Sequence, residues 1–273
     1  MTGAAGKTGL AVTRAATEAG LRVRALVRPG SAAGAVRAAG AHEVAVADLD
    51  GGVGMLDALA GCSAAYLIAP NVHLSEPSLV ARVLAAAAET GTERVVYHSV
   101  LHPYAPEMPH HLGKAVSEDL VRRSGLSWTV LQPCAYVQNL VTVPQPDEIV
   151  VPYSLTSAFS MVDLRDVAAA AAIVLAEPGH HGATYELAGP EQVSVARLAS
   201  LLGIEARQIT VEEWRSSAGA NLPQEARDAL AAMFAYYDRH GLVGNPNVLT
   251  WLLGRPPRTV ADVIGRGAGN AAR

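Results

Sequence analysis

Lysine is scarce in this chain. Of 21 basic residues only Lys7 and Lys114 are lysines, and the rest are arginine. A compact, tunable amine does chemistry that a guanidinium does not, so these two positions are the first to read. Lys7 lies in Gly3-Ala4-Ala5-Gly6-Lys7-Thr8-Gly9, a G-x-x-G-x-x-G loop opening a helix. Glycines let a backbone approach a pyrophosphate, and the helix start offers amide donors and the positive end of a dipole. Gly3, Gly6, Lys7, Thr8 and Gly9 are therefore the candidate phosphate contacts. Such a pattern alone also fits an ordinary turn; the helix and the roughly 30-residue β-α-β rhythm behind it favour a dinucleotide. Gly6-Lys7-Thr8 also mimics the end of a nucleoside-triphosphate loop, but Met1 stands where that motif needs its first glycine.

Leu26-Val27 leads to Arg28. Folds that select NAD carry an acid near this point to bond the ribose 2′-hydroxyl. An arginine suits a 2′-phosphate instead, which puts NADP(H) ahead of NAD(H); the plainer reading is a solvated arginine at a strand end. Asp48 and Leu49 would flank the adenine. Ala69 and Pro70 end the next apolar run, at the carboxyl edge where such sheets bind ligands. His110 could donate a proton near neutral pH, or be a plain loop histidine. His98, His102, His110 and His111 cluster in sequence without regular ligand spacing or supporting acids, so no metal is expected. No G-x-S-x-G elbow is present, which argues against Ser-His-Asp hydrolysis.

These residues need a scaffold, and the first two-thirds of the chain supplies a regular one. Short β-branched runs cover Arg22–Val27, Glu43–Ala47, Ala65–Ala69, Arg94–Val100 and Ser127–Leu131. Helical stretches lie between them at Thr8–Ala19, Ala32–Ala39, Ser75–Thr90 and Lys114–Ser124. Gly20, Gly40, Gly91 and Gly125 stand where C-terminal glycine caps belong. Alternation of this kind predicts a parallel sheet with helices on both faces. From 141 to 160 the chain is loop-rich, with Pro144, Pro146 and Pro152. Helices follow at Val162–Glu177, Val195–Leu202, Glu212–Ala218, Gln224–His240 and Val248–Leu253, with one strand at Ala183–Leu187. The tail from Gly265 reads as frayed. Residues 1–140 are thus the nucleotide-binding part. Residues 141–273 are a mostly helical substrate-binding part, interleaved with the sheet around 155–190.

Composition removes other classes. The chain has 273 residues, half of them hydrophobic and 17% charged, which fits a globular protein with a sizeable core. Asp and Glu total 25, for a net charge of -4, so nothing favours nucleic acid or an anionic membrane as partner. Two cysteines make no disulfide framework and suit a reducing cytoplasm. No apolar run reaches the ~18 residues of a membrane span, and no signal peptide is visible. A small molecule is the expected partner, with the protein a monomer or homodimer.

One feature conflicts with a dinucleotide fold. A buried strand should lead directly into the glycine loop, and only Met1 and Thr2 precede it. The first strand is expected to be truncated. The start could lie upstream, the expressed form could supply further residues, or the strand could be missing; an upstream start is the preferred reading.

Several stretches together resemble the NmrA-like, atypical short-chain dehydrogenase/reductase family. They are Thr2–Gly9, Arg24–Arg28, Tyr97–Val100, Leu131–Tyr136, Gln138-Asn139, Val162–Ala168 and Gly244–Asn247, spread over nearly the whole chain. The resemblance implies a Rossmann-type doubly wound sheet, NADP(H) binding and a small helical cap over the nicotinamide. Short-chain dehydrogenases commonly use Tyr-x-x-x-Lys, and the matching segment here is His110-His111-Leu112-Gly113-Lys114. The lysine is kept and His110 replaces the tyrosine. Lys114 should hold the nicotinamide ribose, and it could serve as general acid or base if burial lowers its pKa. Ser99 occupies a strand end where such folds place a hydroxyl to polarise a carbonyl. Pro133 and Tyr136 should face the nicotinamide side.

The reading is an NADPH-dependent reductase passing a hydride to a conjugated or aromatic carbonyl-type acceptor: a quinone, enone or polycyclic ketone. Lys114, His110 and Ser99 are the candidate proton donors. Two alternatives share the cofactor half. One is an NADP(H)-sensing regulator without turnover, and the other is a biosynthetic isomerase or cyclase.

Overall fold

The computed structural model describes residues 1–31, 33–73, 75–141 and 147–270. Helix α1 spans Lys7–Glu18, followed by β1 Arg24–Val27, α2 Gly34–Ala38, β2 Glu43–Val46, α3 Met55–Leu59 and β3 Ala64–Leu67. Then come α4 Glu76–Glu89, β4 Arg94–His98, α5 Pro109–Arg122 and β5 Ser127–Pro133. The rest is β6 Glu148–Val151, α6 Leu164–Ala176, β7 Ala183–Leu187, α7 Val195–Leu202 and β8 Glu205–Gln208. Helices α8 Val211–Ser216, α9 Gln224–His240, α10 Asn247–Leu253 and α11 Val260–Asn270 complete the chain.

β1 pairs with β2, and β3-β4-β5-β7 form a second ladder, all pairs parallel. Met1 and Thr2 join the two. The Leu26 amide donates to the Met1 carbonyl, and the Thr2 amide donates to the Tyr66 carbonyl. The Met1 ammonium donates to the Arg24 carbonyl at 2.8 Å. The spatial order is therefore β2-β1-(Met1-Thr2)-β3-β4-β5-β7, the doubly wound arrangement. Below them the β1 and β3 edges part around a cleft of about 310 Å³, lined by Met1, Val12, Arg24, Glu43, Cys62 and Tyr66 among others.

Strand alternation sorts the core into two faces. Leu67, Val95, Tyr97 and Val130 pack with α3 and α4 side chains. Tyr66, Val96 and Leu131 pack with Val12 of α1 and with Val167, Ala170 and Ala171 of α6. The helix-ending glycines Gly20, Gly40, Gly91 and Gly125 all have positive φ. Asp163 caps α6 through the Arg165 amide, and Thr210 with Glu213 forms a reciprocal capping box at α8.

Five elements differ from the sequence reading. α5 begins at Pro109, not Lys114, because proline suits a first helical turn, whose amide needs no partner. α3 is a short helix launched by Gly54, at φ +76. β6 and β8 form a separate pair that polar Glu205–Gln208 disguised. α11 continues to Asn270, where fraying was expected from Gly265. Ala32, Pro144 and Pro146 lie outside the described residues. No helix among the described residues is long and apolar enough to cross a membrane.

Candidate active site

The glycine loop is shaped by contacts that a side chain would spoil. Gly3 has φ +59, and a Cβ there would stand 2.9 Å from the Ile68 Cβ. A Cβ on Gly9 would stand 2.2 Å from the Gly3 carbonyl oxygen, so α1 closes directly onto its own loop. The Thr2 hydroxyl pins this loop to the end of β3, donating to the Ile68 carbonyl and accepting from the Ile68 amide, each at 2.8 Å. Gly6 is the N-cap of α1 and brings no side-chain cap. The first-turn amides of an α-helix have no partner within it, and here they open beside exposed Ala5, Gly6 and Lys7. This cradle fits a pyrophosphate.

Lys7 reaches sideways. Its Nζ donates to the Gln138 carbonyl at 3.1 Å and to Asn139 Oδ1 at 2.8 Å. Burial lowers its pKa. Gln138 in turn bonds buried Asp163 at 2.7 Å and accepts from the Leu164 amide at 3.1 Å. The glycine loop, the turn Val137–Asn139 and the start of α6 are thus one hydrogen-bonded unit. In this structure Lys7 is a strut across the site mouth, whereas the sequence suggested a loose charge near phosphate.

Arg28 is exposed just past β1, and among the described residues its guanidinium has no ion-pair partner. That leaves it able to meet a phosphate bidentately. Asp48 and Leu49, the expected adenine contacts, lie just past β2. The Asp48 carboxylate accepts from the Asp50 and Gly51 amides at 3.0 Å each, and Leu49 is buried in the core beside α3. Ala69 is buried and Pro70 exposed at the end of β3. Pro133 is buried at the end of β5, its carbonyl accepting from the Leu101 amide.

Lys114 lies in the second turn of α5. Its Nζ donates to Glu76 Oε1 at 2.9 Å and sits 5.7 Å from the Tyr97 ring centroid. Glu76, buried at the start of α4, also accepts from the Tyr97 hydroxyl at 2.5 Å. Burial, and then Glu76, push the Tyr97 pKa well up.

The other two proton-donor candidates fare differently. His110 is one helical turn before Lys114, but burial, His111 and Lys114 lower its pKa to about 3. It is therefore neutral near pH 7 and has no imidazolium proton to give. Its Nδ1 is buried without a partner, and its ring meets His111 edge-on at 4.7 Å. Ser99 is turned away from the mouth. It is buried, and its hydroxyl donates to Glu118 Oε1 at 2.5 Å, an oxygen that Gln132 also bonds at 2.8 Å. Alternation along the strand sends Ser99 to the α5 side and His98 to the other.

On that other face lies a constellation the sequence reading did not assemble. Tyr136 is half-buried just past β5, at the start of the turn Val137–Asn139. The Tyr136 hydroxyl is 2.7 Å from His98 Nε2, and the Tyr66 hydroxyl is 2.7 Å from His98 Nδ1. Burial, then Lys114, lowers the His98 pKa to about 3. Burial raises the Tyr136 pKa to about 12. The available signal was the strand period, which puts Tyr66 and His98 on one face; Glu76 gave none beyond an acid at a helix start. Among the described residues no group of three or more His, Cys, Asp or Glu is placed to hold a metal.

Comparison with known proteins agrees with this layout. The chain matches the model of the NmrA-like family over residues 1–261. It is 29% identical to an NAD(P)H azoreductase of Xenophilus azovorans, covering 95% of this chain and 94% of that protein. It is 27% identical to quinone oxidoreductase 2 of Escherichia coli (strain K12), covering 97% and 96%. Among solved structures, an NADPH-dependent quinone oxidoreductase from Escherichia coli in complex with NADPH superposes with a TM-score of 0.82. That pair is 25% identical, covering 97% of this chain and 98% of the other.

Proposed function

The chain belongs to the NmrA-like family, and on that footing we propose that it is an NADPH-dependent reductase of conjugated or aromatic carbonyl-type acceptors such as quinones. It is an NAD(P)H-dependent oxidoreductase, and NADP(H) is its nucleotide. The observation that carries the reading is the glycine cradle without a side-chain cap, with Arg28 exposed just past β1 and in no ion pair among the described residues. Two relatives named for NAD(P)H-dependent azo reduction and for quinone reduction support the acceptor class.

In this reading the amides around Gly3, Gly6, Thr8 and Gly9 bind the pyrophosphate, and Arg28 binds the 2′-phosphate. Ala69, Pro70, Pro133 and Tyr136 wall the nicotinamide. Lys114 holds the nicotinamide ribose, and Glu76 keeps it aimed. The bound nucleotide supplies a hydride; the protein's main contribution is to hold the two reactants in register. The acceptor lies against Tyr136 under the helical part.

The test is NADPH consumption across a panel of quinones and enones. Turnover is expected, and Lys114→Ala should lower kcat/KM by about tenfold or more, the size of a lost charged hydrogen bond. Tight NADPH binding with no consumption across the panel would contradict the proposal.

A further inference from the structure

β4 ends at His98 and α5 begins at Pro109, so the first turn of α5 stands at the carboxyl edge of the sheet, where ligands bind in such folds. His110 is in that turn and shares a helix face with Lys114, four residues on. Its neighbour His111 is buried, with Nδ1 lying 3.1 Å from the His102 carbonyl oxygen. The His110 ring meets that fixed ring edge-on at 4.7 Å and is itself only half-buried. Of the two His110 nitrogens, Nδ1 is closed off from solvent without a partner. Nε2 is not closed off, and among the described residues nothing bonds it. A neutral imidazole carries one proton. A buried N–H with no acceptor is the rarer and costlier orphan, so that proton belongs on Nε2.

We propose that the His110 Nε2–H donates a hydrogen bond to the carbonyl oxygen of the acceptor, polarising it for hydride transfer without giving up its proton. This rests on the reductase reading above and deepens it, by naming the residue that meets the acceptor's oxygen.

The step balances with the ring unchanged. The conjugated carbonyl system gains the hydride with its electron pair, the nucleotide is oxidised, and negative charge collects on a carbonyl oxygen. A fixed donor aimed at that oxygen is worth more as the charge grows. The oxygen then takes its proton from solvent. The Nε2–H bond never breaks, so nothing has to reset the ring. Burial, then His111 and Lys114, keep the imidazole neutral by lowering its pKa to about 3.

The test uses NADPH with 2-methyl-1,4-naphthoquinone, or with whichever quinone of the panel is reduced fastest. His110→Phe keeps an aromatic ring but no donor; His110→Gln keeps an amide N–H but cannot serve as an acid. His110→Phe should lower kcat/KM for the quinone about tenfold or more. Its Kd for NADPH should stay within about twofold of native, because the ring touches the acceptor and not the nucleotide. His110→Leu takes its place if His110→Phe does not fold. His110→Gln should stay within about threefold of native kcat/KM, the donor being restored. Between about pH 5 and 8 the native chain and His110→Gln should give profiles of the same shape, since residue 110 does not titrate there. Unchanged kcat/KM in His110→Phe, or His110→Gln as impaired as His110→Phe, would overturn the donor role. So would a native limb near pH 6.5 that His110→Gln removes, or a loss of NADPH affinity that matches the loss of kcat/KM. A native chain that binds NADPH and reduces no quinone would overturn the reductase reading and this role together.

Discussion

At the residue scale, burial decides what each candidate can do. The sequence pointed to Lys114 by counting lysines and to Arg28 by position, and neither needed tertiary knowledge. It also offered His110 and Ser99, and their surroundings were illegible because the partners lie far along the chain or across the helix. Ser99 meets Glu118 nineteen residues away, and Lys114 meets Glu76 thirty-eight away. The buried histidines have a measurable consequence. Burial is the first cause that lowers His98 and His110 to about 3 and His111 to about 4. An unfolded chain protonates each near pH 6.5. Between about pH 4 and 6.5 the unfolded state therefore binds more protons, so stability rises with pH there and is lost as the pH falls. Thermal unfolding followed across that window should show Tm dropping towards pH 4, and His111→Gln should make the slope shallower. A Tm independent of pH in that range would contradict the neutral histidines.

At the element scale, most helices and strands were legible from period and caps, since glycines end helices and Asp163 starts α6 as such residues do elsewhere. What escaped were a helix start marked by a proline and a strand with no apolar period. α5 begins on a proline, and β8 is a polar strand with three of its four residues exposed or charged at Glu205, Arg207 and Gln208. The seating of α1 on the glycine loop was foreseen in kind but not in tightness. Adding one methyl at Gly9 places it 2.2 Å from the Gly3 oxygen, which the backbone must move to relieve. Overpacking of this kind costs about 1–3 kcal/mol. Gly9→Ala should therefore weaken NADPH at least about tenfold in an equilibrium titration while the protein stays folded. Unchanged affinity would mean that the loop is not the pyrophosphate cradle.

At the scale of the whole molecule, the sequence showed the doubly wound class. It did not show how two residues hold the sheet together. Met1 bonds the Leu26 amide and the Arg24 carbonyl of β1, and Thr2 bonds the Tyr66 carbonyl of β3 and the Ile68 backbone. β2 is an edge strand with none of its four residues buried, and so the less protected part of the sheet. Hydrogen exchange should report amides of Ala45 and Val46 opening at least about tenfold more readily than Val96 and Val130 in the central ladder. Equal protection would show that the sheet is held as one cooperative unit. All these scales converge on one claim, that the molecule is built to bind NADPH for reduction. The direct measurement is a thermal-shift titration with NADPH, NADH and neither, on the native chain and on Arg28→Ala. A ligand at a hundred times its Kd stabilises by about 2.7 kcal/mol. The expected result is a larger Tm rise with NADPH than with NADH at equal concentration, and the loss of that advantage in Arg28→Ala. No shift with either nucleotide, or an equal shift with both in the native chain, would contradict it.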